Sequence, residues 1–140
     1  MAKKPVRLAL TWRQEMAFGA VMPDGRELIT DARGRLGFSP VDLLAASIAA
    51  CMAADVVHIL GRARQPLKGL RADFSGERAP SDPHRLVRVA LEFVATGSVD
   101  PRQLDRAVQL SRNKYCSVWN SIRTDTALEI VTRIEPDGDA

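Results

Sequence analysis

At 140 residues and 46% apolar content the chain can bury a real core as one domain and is too short to be read confidently as two. Twenty basic against seventeen acidic residues leave a net charge of +3, scattered without the block of like charges that marks a nucleic-acid arm. One tyrosine, two tryptophans and four phenylalanines are few for base stacking, so no nucleic-acid partner is expected.

In chain order, MAKKPVRLALTW moves straight into alternation with no apolar leader, which predicts a cytoplasmic protein. VRLALTW (6–12), MAFGAVM (16–22) and RELIT (26–30) predict three short strands, the last two joined by the turn signal PDG at 23–25. ARGRLGFSP (32–40) reads as a flexible glycine-bearing loop, free to form a rim over a site. Ser39 as N-cap, Pro40 at the first helical position and Asp42 at N3 complete a capping box. The helix they open runs to about Leu60, with Gly61 as its stop. From Val41 to Leu60 only Asp42, Ser47, Asp55 and His58 are polar, enough to suggest a membrane span by composition; Asp55 and His58 favour a buried core helix instead, and no membrane partner is expected.

Beyond QPLKG, strands are predicted over 70–78 (LRADFSGER) and 85–97 (RLVRVALEFVATG), linked by the hairpin loop APSDPH. A second helix is predicted over 99–115, with Asp100 as N-cap, Pro101 first and Gln103 at N3, and with Leu104, Ala107, Val108 and Leu110 on its apolar face. CSVWNSIR opens a short helical segment at Cys116, and ALEIVTRIE (127–135) supplies a last strand. The order is βββαββαβ, an α+β chain forming a single domain over 1–140.

At about 100° per residue, Ser47, Cys51, Asp55, His58 and Arg62 fall within about 80° of one another on the first helix. Paired alanines at 45 and 46, 49 and 50, and 53 and 54 take the other side, a small-residue face that lets another backbone approach closely. Cys51 and Cys116 are the only cysteines. A reducing cytoplasm disfavours a permanent bridge, so they are either inert core thiols or a redox pair. Asp55, one turn from Cys51, would raise rather than lower its thiol. His58 lies about 10 Å along the axis, out of contact, and reads as a partner of Asp55 or Arg62. Cys116, at a helix N-terminus, has amides that favour a thiolate. Neither histidine has ligand spacing to a cysteine, so no metal is expected.

PVDLLAASIAACMAADVVHIL, QPLKGLRADFSGER and above all SVDPRQLDRAVQLSRNKYCSV resemble the OsmC/Ohr family of osmotically inducible and organic hydroperoxide resistance proteins, specifically its YhfA-like branch. The resemblance spans roughly residues 39 to 135; the first 38 match in strand-rich character only. It implies an OsmC-like α+β fold, an intertwined homodimer whose strands wrap the central cysteine-bearing helices. It also implies a thiol peroxidase for small organic hydroperoxides: Cys51 attacks and becomes a sulfenic acid, Cys116 resolves it as a disulfide, and an external dithiol such as a lipoyl group reduces the bridge. No bound cofactor is implied. The family's thiolate-stabilising arginine lies in the loop joining the first two strands, where Arg13 is the match; Arg33 and Arg35 are alternatives. Where the hydroperoxide resistance branch carries glutamate after the helix-start proline, this chain has Val41, followed by Asp42, the YhfA-like pattern. The alternative function is a non-catalytic dimer that binds an apolar ligand or senses oxidants.

Overall fold

Three strands of the N-terminal region, β1 (Ala9–Gln14), β2 (Ala17–Val21) and β3 (Glu27–Asp31), form an antiparallel meander in that order. The computed structural model describes residues 2–137 and divides into two compact units, Met1–Leu44 and Ala45–Ala140. β1 starts later than the alternation predicts, at Ala9, because Ala9↔Val21 is the outermost pair β2 offers it. All of β1 is exposed. Gly25, at φ 95°, turns the chain from β2 into β3 with Met22 N–H to Arg26 O at 2.8 Å, as PDG predicts.

The loop after β3 is not the free rim expected of it. The buried Asp31 carboxylate accepts the backbone N–H groups of Arg33 (2.9 Å), Leu36 (3.0 Å) and Arg35 (3.3 Å). Those amides, Arg33 first, hold the carboxyl below its ordinary range. Gly37 lets the loop backbone press onto the carbonyl of Ile29, where a side chain has no room.

α1 (Pro40–Arg62) begins with the capping box as read: Asp42 N–H to Ser39 Oγ is 3.1 Å and Ser39 N–H to Asp42 Oδ2 is 3.0 Å. It does not end on Gly61. Arg64 takes the left-handed conformation at φ 57°, with Gln65 N–H to Leu60 O at 2.9 Å and Arg64 N–H to Gly61 O at 3.0 Å, the paired bonds of a Schellman stop. By length and composition α1 could cross a membrane. It is not wholly buried: Leu44, Ala46, Ala50, Ala54 and Val57 are exposed. Ile48, Met52, Val56 and Leu60, four residues apart, form one buried stripe.

That stripe packs on a three-stranded sheet ordered β4-β5-β6. β4 (Leu67–Arg78) and β5 (Leu86–Gly97) make a long antiparallel hairpin, and β6 (Ala127–Glu135) runs parallel to β5. β4 begins before residue 70 because Leu67 pairs with Gly97 across a bulge, a partner that QPLKG does not announce. Val89, Leu91, Phe93 and Ala95 of central β5 alternate into the core. Burial of each large apolar side chain here contributes roughly 1.5–3 kcal/mol.

Returning parallel to β5 requires a crossover, supplied by α2 (Pro101–Leu110). Asp100 caps it through Arg102 N–H (2.9 Å), but its own N–H donates to Gln65 Oε1 (2.8 Å), so a side chain just beyond α1 takes the place expected of Gln103. Leu104, Ala107 and Val108 are buried as predicted. The helix does not run unbroken to 115. It widens into a π-turn over Ser111–Tyr115, closed by Cys116 N–H to Ser111 O at 2.8 Å.

Candidate active site

The π-turn brings the two cysteines together. Cys51, midway along α1, is partly buried and packs against the core cluster that includes the fully buried Cys116, near enough for each to feel the other. Cys116 is then held from several directions. Its N–H is bound to Ser111 O, its sulfur accepts the Trp119 N–H at 3.3 Å, and its carbonyl accepts Asn120 N–H (3.0 Å) and Nδ2–H (2.8 Å).

The electrostatics of Cys116 reverse the expectation from its place before a helical segment. That segment is only the single turn Trp119–Ser121. Burial pushes the thiol up to about 11, the adjacent Cys51 adds to the rise, and the Trp119 amide only partly offsets them. At neutral pH Cys116 is therefore an S–H group, able to donate to the sulfur of Cys51.

The stripe around Cys51 also rearranges. Asp55 accepts a 2.7 Å hydrogen bond from Ser111 Oγ, a fully buried hydroxyl, rather than pairing with His58 or Arg62. His58 and Arg62 are exposed. Sequence reasoning missed Ser111, since a lone serine in an amphipathic helix carries no signal that its turn will widen. The alanine face divides: Ala49 and Ala53 pack toward the core, while Ala46, Ala50 and Ala54 face outward with Val57.

Arg13 belongs to the N-terminal unit. It sits at a bulge within β1 rather than in the following turn, and its guanidinium lies across Gly19, where an added Cβ would come within 2.5 Å of Nη2. It pairs with Glu27 on β3, so its charge already has a partner there. Arg33 pairs with Glu15 at 3.5 Å, and Arg35 is exposed. Val41 follows Pro40, and Asp42 is committed to the cap, its carboxyl held low by the Ser39 hydrogen bonds. Among the described residues no three His, Cys, Asp or Glu side chains gather as a metal site.

Comparison with known proteins gives this arrangement its context. Residues 32–131 match the family described as OsmC-like protein. Protein YhfA of Escherichia coli strain K12 is 30% identical over 109 residues, covering 76% of this chain and 81% of that protein. A hypothetical protein from Aquifex aeolicus VF5, solved by crystallography, aligns with a TM-score of 0.89 at 30% identity, over 96% of this chain and 99% of its own. The crystal structure of an organic hydroperoxide resistance protein OsmC from Legionella pneumophila shares the fold, with a TM-score of 0.67 at 17% identity over 96% of this chain and 99% of its own.

Proposed function

We propose that this chain, which belongs to the OsmC family and to its YhfA-like branch, is a cysteine-based peroxidase for small organic hydroperoxides. The observation that carries the reading is the proximity of a partly accessible thiol, Cys51, to a buried, protonated one, Cys116. The Cys51 thiolate attacks the terminal peroxide oxygen; the O–O bond breaks, Cys51 becomes a sulfenic acid, and the alkoxide takes a proton to leave as an alcohol. The Cys116 sulfur then displaces hydroxide from the sulfenic acid, its proton completing a water molecule as the Cys51–Cys116 disulfide forms. A dithiol of the lipoyl type returns both cysteines to thiols and leaves as its own disulfide.

The chemistry fits these positions. A thiol that remains protonated near Cys51 offers it a hydrogen-bond donor, and a resolving sulfur close by captures the sulfenic acid before a second peroxide can oxidise it further. The organic hydroperoxide resistance named for the Legionella relative supports the substrate class. The proposal includes a homodimer in a reducing cytoplasm, with the outward small residues Ala46, Ala50 and Ala54 admitting the backbone of a second copy.

The test is to mix reduced protein with cumene hydroperoxide and dihydrolipoamide and to follow peroxide loss. The wild type turns over repeatedly, Cys51→Ser consumes nothing, and Cys116→Ser completes the first oxidation but forms no internal disulfide. Thiols left unchanged by excess hydroperoxide would overturn the proposal and favour a non-catalytic, ligand-binding or sensing dimer.

A further inference from the structure

We infer that Asp55 and Ser111 are positioning residues for the resolving step, a clamp between α1 and the π-turn that holds Cys116 against Cys51; the inference rests on the peroxidase reading above. Asp55 lies one turn beyond Cys51 on the same stripe of α1. Its Oδ2 accepts the Ser111 hydroxyl at 2.7 Å, and the Ser111 carbonyl accepts the Cys116 N–H at 2.8 Å. One serine thus joins the helix that carries the attacking thiol to the backbone of the thiol that must resolve it.

The widened turn gives the clamp its purpose. In a regular α-helix the Cys116 N–H would bond to the carbonyl four residues back, that of Arg112; here it reaches five back, to Ser111. The extra residue in the loop changes the direction in which Cys116 leaves the helix. The Ser111 hydroxyl donates to Asp55 and is fully buried, so water does not replace the bond. Disulfide formation needs the two Cα atoms within a narrow separation, and a resolving cysteine whose backbone is tied to the helix of its partner forfeits little freedom when the bond closes.

The carboxylate acts here as a hydrogen-bond acceptor, and its charge is incidental. Asp55→Asn keeps an acceptor oxygen for Ser111, whereas Asp55→Ala and Ser111→Ala remove one end of the clamp. Each form is equilibrated without peroxide in reduced and oxidised glutathione, acid-trapped, and read for the Cys51–Cys116 disulfide by mass. The expected result is an equilibrium constant for disulfide formation at least tenfold lower in Asp55→Ala and Ser111→Ala, a potential about 30 mV less negative, with Asp55→Asn within threefold of wild type. In parallel, cumene hydroperoxide is added with dimedone to capture sulfenic acid. Asp55→Ala forms the sulfenic acid at the wild-type rate and diverts it to the dimedone adduct. Equal glutathione equilibria in all four proteins would overturn the inference, as would Asp55→Asn behaving like Asp55→Ala or Asp55→Ala slowing both chemical steps equally. If hydroperoxide leaves Cys51 unreacted while the glutathione equilibria still depend on the clamp, the peroxidase reading fails and the positioning role stands.

Discussion

Replacing Cys116 with alanine isolates the energetic consequence of burying its thiol. The native thiol releases its proton near pH 11 against an ordinary value of 9.0, chiefly because the charged form is desolvated. Between those values the unfolded chain holds fewer protons on this sulfur than the native protein, so stability falls as pH rises. The contribution is fully present below pH 9 and is lost progressively through pH 11. A two-unit gap corresponds to about 2.7 kcal/mol in full and to about 2 kcal/mol between pH 8 and pH 10.5. Urea unfolding of wild type and Cys116→Ala, in reductant at both pH values, separates this from the titration of the other groups, which apart from the adjacent Cys51 are common to the two proteins. Any packing defect left by the alanine is the same at both pH values and cancels in the difference. The wild type should lose about 2 kcal/mol more than the variant. Because burial is the leading cause and Cys51 a lesser one, most of that difference should persist in a Cys51→Ser background. Parallel pH profiles for wild type and Cys116→Ala would refute the reasoning.

Two further outcomes follow from the ends of α1. Ser39→Ala removes the side-chain acceptor for Asp42 N–H and should lower the unfolding free energy by about 1 kcal/mol, measured by urea titration. Arg64→Gly relieves a side chain held at φ 57° in the Schellman stop and should raise stability by up to about 1 kcal/mol, read as a higher urea midpoint at unchanged slope.

The elements most legible in the sequence were those whose signal is local. The Ser39–Asp42 box, the PDG turn and the alternation of β5 each depend on residues within a few positions of one another, and the fold keeps them. Resemblance supplied the pairing of roles for Cys51 and Cys116, and the structure adds their proximity. What the sequence concealed depends on partners distant along the chain. Asp55 looked like the neighbour of His58 because helix periodicity sees only α1; its actual partner, Ser111, arrives from a turn whose widening no periodic pattern announces. Cys116 looked like a favoured thiolate because its amides are local, whereas the burial that outweighs them comes from the core assembled around it. The loop after β3 looked free because its glycines are visible and the reach of Asp31 across it is not.

The most direct test of the account is the identity of the first stable product of oxidation. Reduced protein treated with one equivalent of cumene hydroperoxide, quenched in acid with an alkylating agent and digested, should yield a peptide pair joined between Cys51 and Cys116, with both thiols lost together. Recovery of both cysteines as alkylated thiols, or of Cys51 as sulfinic acid beside an intact Cys116 thiol, would contradict it.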